Sequence, residues 1–154
     1  MNINASDDFF YRYKMPILQI DKIGKGNGKF TKLNNIQEIC ESINTPLKIL
    51  MFYLSQCLGT NYKDINLNGH YSKDDLINII CKFNKDFVIC EKCNIPEIEP
   101  YLEGKKKNIK LFFKCSACGD QYEKIGSSKL NDKTIDTIIN YYKTNKYVKT
   151  NGNV

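Results

Sequence analysis

The sequence predicts an α+β fold: a small antiparallel-sheet domain with packed helices, then a four-cysteine zinc ribbon and a C-terminal helix. Three observations carry this reading. Short apolar runs broken by Gly and Asn alternate with helical stripes over residues 17–88. Two Cys-x-x-Cys pairs fall within residues 89–126. A helical apolar pattern then recurs in the tail, residues 127–154. Residues 1–16 are left as a flexible arm, polar and then aromatic, ended by Met15-Pro16 because the residue before a proline avoids the helical region.

Within residues 17–88, Ile17–Ile23 and Phe30–Leu33 read as two strands joined by Gly24-Lys25-Gly26-Asn27-Gly28, whose glycines supply the positive φ of a hairpin loop. A first helix starts at Asn35, with Glu38 completing a capping box, and carries Ile36, Ile39, Cys40 and Ile43 on one face. A second takes Thr45 as N-cap and Pro46 as its first residue, buries Leu47, Leu50, Met51, Leu54 and Leu58, and ends at Gly59. Ile65 and Leu67 mark a short strand turned at Asn68-Gly69. Ser72 caps a third helix, with Asp74 and Asp75 in its first turn and Leu76, Ile79, Ile80 and Phe83 as its stripe. Phe87–Ile89 then leads into the first ligand cysteine. In the ribbon, Ile109–Phe113 and Gln121–Ile125 read as strands. A last helix spans Leu130–Tyr147 on Ile135, Ile138, Ile139 and Tyr142.

The 154 residues carry a net charge of +6. Four zinc-bound thiolates would lower this to about +4, basic enough to suit RNA but not diagnostic. No apolar run is long enough to span a bilayer, and the first residues lack the pattern of a secretory signal. A soluble cytoplasmic protein without a membrane partner is expected. Lysine supplies every basic residue but one, and the exception is Arg12. An arginine kept against such a bias suggests a need for a planar, always-charged fork. The bland alternative is an ion pair to Asp7 or Asp8. His70, the single histidine, reads as a turn residue, and with no P-loop and no open metal site no active site of its own is expected.

Cys90-x-x-Cys93 and Cys115-x-x-Cys118, with 21 residues between the pairs, offer four soft ligands. Each pair forms a tight turn aiming both sulfurs at one centre, which suits tetrahedral Zn²⁺. Asn94 and Gly119, next in sequence, tolerate the left-handed backbone such turns need. Four protein ligands make a closed, structural site; an iron–sulfur site and a redox dithiol are the alternatives. Cys40, Cys57 and Cys81 read as small hydrophobes. The lysines nearby, Lys92, Lys105, Lys106, Lys107, Lys110 and Lys114, read more simply as solvated charges offsetting the cluster than as an RNA-contacting edge.

Phe10-Tyr11-Arg12-Tyr13-Lys14-Met15-Pro16, the Gly24–Gly28 loop, and Phe87-Val88-Ile89-Cys90-Glu91-Lys92-Cys93-Asn94-Ile95-Pro96-Glu97 with its second Cys pair resemble the N-terminal domain of eukaryotic translation initiation factor five. The likeness covers residues 6–125. The ribbon by itself resembles the β subunit of initiation factor two equally well, but that subunit lacks the arm. The resemblance implies a factor that stimulates GTP hydrolysis on the γ subunit of initiation factor two and helps select the start codon at the ribosomal P site. Arg12 matches the proposed arginine finger acting in trans. Gly24, Lys25, Gly26, Asn27, Gly28 and Lys29 match a loop facing initiator tRNA, and the small ribosomal subunit with its mRNA start codon completes the implied partners. Two positions depart from the family: Phe30 stands where a basic residue is expected past the loop, and Asp21 stands at a basic strand position. Relatives also carry a C-terminal helical-repeat domain that docks on other factors, whereas this sequence stops at Val154. One alternative is a non-activating RNA- or ribosome-binding factor nearer in role to that β subunit; the missing domain motivates another, a decoy that occupies the P site or the GTPase surface.

Overall fold

The computed structural model describes residues 1–144. It contains four helices and two antiparallel sheets, and the chain divides between Ile89 and Cys90 into two compact units. Among the described residues no helix is long and apolar enough to cross a membrane.

In the first unit a four-stranded sheet has the order β1-β2-β4-β3, from β1 (Ile20–Ile23), β2 (Phe30–Leu33), β3 (Tyr62–Lys63) and β4 (Asn66–Asn68). The β1–β2 register pairs Ile20 with Leu33 and Ile23 with Phe30. Alternation buries Thr31 and Leu33 while Lys32 faces solvent. β1 is shorter than the expected Ile17–Ile23, and the reason is Asn35. Its side chain accepts from the Gln19 N–H (2.8 Å) and donates to the Ile17 carbonyl (2.8 Å), bonding this backbone as a neighbouring strand would. Asn35 is therefore not available to cap α1 (Ile36–Ser42), whose N-cap side chain makes no capping bond. The capping box read from the sequence is absent.

α2 (Leu47–Leu58) begins one residue later than expected, because Pro46 keeps extended backbone (ψ 141°) and occupies the N-cap position. The Thr45 hydroxyl donates instead to the Ile43 carbonyl. Gly59 ends the helix as expected. The buried face of α2 is broader than the predicted stripe. Ile49, Leu50, Met51, Tyr53 and Leu54 are all inaccessible, whereas Leu47 and Leu58 are half-buried. A helix buried over so much of its circumference is the centre of the unit.

Ser72 caps α3 (Lys73–Phe87) as predicted, accepting from the Asp75 N–H at 3.1 Å. The helix continues through Phe87, beyond the Leu76–Phe83 stripe read from the sequence. Phe83 and Phe87 stack at 5.3 Å, and Tyr53 of α2 meets Phe83 edge-on at 5.1 Å. This i, i+4 aromatic pair favours one more helical turn. Cys40 is fully buried, and burial, followed by the Glu41 carboxylate, pushes its thiol up to about 12. Cys57 and Cys81 are half-buried rather than enclosed.

The second unit holds a three-stranded sheet, β5 (Ile98–Glu103), β6 (Lys110–Cys115) and β7 (Gln121–Glu123), with α4 (Lys129–Thr144) against β5 and β6. β5 has no counterpart in the sequence reading, and it contains Pro100, a residue that disfavours central strands. The proline is tolerated since β5 is an edge strand. α4 buries Asn131, Thr134 and Ile138, and Ile135, Ile139 and Tyr142 are half-buried. Residues 145–147 of the helix expected here lie outside the described residues.

Candidate functional site

The two cysteine pairs are built alike. The Cys90 carbonyl accepts from the Asn94 N–H (2.9 Å) while the Cys90 N–H donates to Ile95 (3.0 Å). At the same offsets, the Cys115 carbonyl accepts from the Gly119 N–H (2.9 Å) and the Cys115 N–H donates to Asp120 (2.9 Å). Asn94 and Gly119 take φ of 61° and 80°, the left-handed corners that close each turn. The turns are joined where the Glu97 carbonyl accepts from the Ser116 N–H (3.0 Å).

All four sulfurs lie within 4.8 Å of one another. Cys90 and Cys118 are 3.9 Å apart, and Cys93 and Cys115 are 3.6 Å apart. A tetrahedron with metal–sulfur bonds of ~2.3 Å has edges of about 3.8 Å, so this donor set can hold one metal ion. Burial raises the Cys90 thiol, but hydrogen bonds from backbone N–H groups and neighbouring sulfurs outweigh it and bring it to about 7. Cys93 is pushed the other way by lost hydration and by sharing hydrogen bonds with the other sulfurs. The turn is braced by buried Lys124, 2.7 Å from the Glu91 carboxylate, and by the Glu91 N–H donating to the Tyr122 hydroxyl (3.1 Å). Neither brace was visible in the sequence.

Residues 1–16 are not a free arm. Asn2 and Lys14 form an antiparallel bridge, and the Ile3 N–H donates to the Tyr13 carbonyl (3.0 Å). Ile3 and Met15 are buried, and Asn84 of α3 donates to the Ile3 carbonyl (3.3 Å). The segment is a loop closed at its base, with residues 4–10 exposed. Asn2 is the lock. Its buried amide donates to the Asp8 carbonyl (2.7 Å) and the Ser6 carbonyl (2.9 Å), and its oxygen accepts from the Lys14 ammonium (2.6 Å). Hydrophobic periodicity holds no signal for such a residue. Asn2→Ala removes these three hydrogen bonds, each contributing about 1 kcal/mol, and is expected to cost the loop about 1–3 kcal/mol. Faster amide exchange at Ile3 and Met15, with the α2 amides still protected, would report it.

Arg12 sits on this loop between half-buried Tyr11 and Tyr13, whose rings meet edge-on at 5.8 Å. Arg12 is exposed, and among the described residues it forms no ion pair with Asp7 or Asp8.

Gly24–Lys29 are all exposed at the β1–β2 turn, where Gly26–Gly28 makes one 3₁₀ turn. Gly24 has φ 81°, and a Cβ there would lie 2.8 Å from the Gly28 carbonyl oxygen. Gly24→Ala is expected to destabilise the hairpin by about 1–3 kcal/mol, read as a lower unfolding midpoint. Phe30, one residue past the loop, is half-buried in β2, and Asp21 is exposed and accepts from the Asn34 amide (2.9 Å). Lys92, Lys105, Lys106, Lys107, Lys110 and Lys114 are all exposed.

Against known proteins, the model of the domain found in initiation factors 2B and 5 matches residues 3–121. The chain belongs to this family. The matched span includes the closed loop, the hairpin and the ribbon's four cysteines. The chain is 38% identical to eukaryotic translation initiation factor 5 of Caenorhabditis elegans over 130 residues, 80% of this chain and 29% of that protein. It is 34% identical to that of Drosophila melanogaster over 146 residues, 90% of this chain and 30% of the relative. It is 36% identical to the probable eukaryotic translation initiation factor 5-1 of Arabidopsis thaliana over 126 residues, 77% of this chain and 28% of the relative. The chain thus spans less than a third of the length of these relatives. As a member of this initiation-factor domain family it has the expected α+β fold with a four-cysteine ribbon.

Proposed function

We propose that this initiation-factor family member is a cytoplasmic translation initiation factor. It acts in trans through Arg12, stimulating GTP hydrolysis on the γ subunit of initiation factor two during start-codon selection at the ribosomal P site. The observation that carries the reading is Arg12 itself: the chain's single arginine, exposed and in no ion pair among the described residues, on a loop whose base is locked. Hydrolysis develops negative charge on phosphoryl oxygens, and a positioned guanidinium stabilises that charge in a site it enters from outside. Holding the loop in advance lowers the ordering cost of presenting it.

The exposed loop of Gly24, Lys25, Gly26, Asn27, Gly28 and Lys29 is assigned to initiator tRNA, where small residues let backbone approach phosphates and two lysines supply charge. Cys90, Cys93, Cys115 and Cys118 are assigned to one structural Zn²⁺, favoured by four thiol donors at tetrahedral spacing. Such an ion staples the turns of a ribbon and leaves no open position for chemistry. The chain therefore contributes a side chain to the partner's active site rather than an active site of its own.

The test is single-turnover GTP hydrolysis in reconstituted small-subunit complexes holding initiator tRNA and mRNA, with and without the chain. Acceleration at saturating chain supports the proposal. Saturable ribosome binding with no acceleration would sink it in favour of a non-activating or decoy factor.

A further inference from the structure

Phe9 and Phe10 are 84% and 89% exposed, more than any other large hydrophobic side chain among the described residues. They are adjacent and meet edge-to-face, with ring centroids 5.5 Å apart. Two phenyl rings in water at a loop tip are an unfavourable arrangement for an isolated chain, and paired exposed aromatics mark contact surfaces. The tip is also held in shape. The Asp8 carboxylate accepts from the Phe10 N–H (3.0 Å), and the Asp8 carbonyl accepts from the Tyr11 N–H (3.2 Å) and from the Asn2 amide (2.7 Å). The same buried Asn2 that closes the loop therefore fixes the turn that displays the phenyl pair.

We propose that Phe9 and Phe10 are the docking anchor of this loop, seated in an apolar pocket beside the nucleotide site of the partner GTPase. The inference rests on the activator reading of Arg12. Phe10 and Arg12 are two residues apart, so their Cα atoms are separated by at most ~7 Å. Any surface that receives the guanidinium must also meet the tip, which is what commits the pair to the GTPase. The two side chains divide the work. An arginine active only on transition-state charge adds little to ground-state affinity. Buried aromatic anchors, by contrast, dominate the affinity of interfaces. Both phenyls are already presented, so docking orders little further chain.

The test titrates four versions of the 154-residue chain into reconstituted complexes containing initiation factor two and GTP: wild type, Phe9→Ser/Phe10→Ser, Phe10→Leu and Arg12→Lys. Binding of each to isolated GTP-bound initiation factor two is followed separately by fluorescence anisotropy. The double serine variant is expected to raise the half-saturating concentration at least 10-fold and to keep the saturating rate within about 2-fold, since the tip supplies affinity alone. Phe10→Leu, still apolar, retains most of the affinity. Arg12→Lys gives the opposite split, a lower saturating rate at unchanged half-saturation. Unaltered binding of the double serine variant overturns the anchor. So does a loss confined to binding of anionic phospholipid vesicles, or to self-association of the chain, because the tip would then serve another occupant. If wild type binds but never accelerates hydrolysis, the activator reading fails alone. Weakened binding by the serine variant would still establish the anchor.

Discussion

Arg12→Lys is expected to lower the saturating rate of GTP hydrolysis by on the order of 10³-fold, the lower end of what a trans-acting arginine contributes. Lysine keeps the charge, so the loss isolates geometry. A guanidinium presents a planar fork of donors to two phosphoryl oxygens, while an ammonium on a shorter stem acts as a point charge. Folding is not at risk, because the side chain is exposed and the loop is held by Asn2, Ile3, Lys14 and Met15. Metal content, thermal midpoint and ribosome association are expected to match wild type. A mutant that stimulates as well as wild type would remove Arg12 from the mechanism. A mutant that also loses ribosome binding would make it a docking residue.

Metal removal is the second large effect. The ribbon has a thin core, chiefly Ile98, Leu111, Phe113 and Ile138, while α2 and α3 give the first unit a core of its own. Structural zinc in such modules supplies on the order of 10 kcal/mol of folding free energy. Chelation, or Cys90→Ser, is expected to disorder β5–β7 and leave residues 1–89 folded. Amide spectra should show ribbon resonances collapsing while those of α2 and α3 stay dispersed, with one metal ion released per chain. Acidification acts in the same direction. Protons compete with the metal for thiolates, so affinity falls as pH falls and the ribbon is lost at the acid end. Uniform loss of resonances from both units on chelation would contradict independent folding.

Much of this fold is legible in the sequence where one local rule acts unopposed. Ser72 with Asp75 is a complete N-cap in four residues, and it forms as read. Gly59 ends α2, and Asn94 and Gly119 take the left-handed corners that paired cysteines demand. Two of the failures turn on contacts that lie outside any local window. Asn35 has the identity and position of a helix cap, yet it bonds chain 16 and 18 residues away. Propensity cannot choose between two uses of one amide. Pro100 argues against a strand unless it is known to lie at an edge, and edges are set by pairing. The candidate site follows the same division. The four cysteines announce themselves by spacing, whereas Asn2 and Lys124 act through partners that only the folded chain brings near.

The four sulfurs of the ribbon are unequally guarded, and that would set an order of events. Cys90 and Cys115 are fully buried, Cys93 is half-buried, and Cys118 lies at the surface beside Gly119 and Asp120, both exposed. Attack by an oxidant or a competing chelator thus has a preferred entrance. With a metal bound, Cys118 would be the first sulfur exposed to such attack, and Cys90, Cys93 and Cys115 would remain to hold the ion. Under mild oxidative stress the ribbon would pass through a partly unlatched, repairable form before it is lost. Thiol alkylation followed in time would show Cys118 labelled well ahead of Cys90.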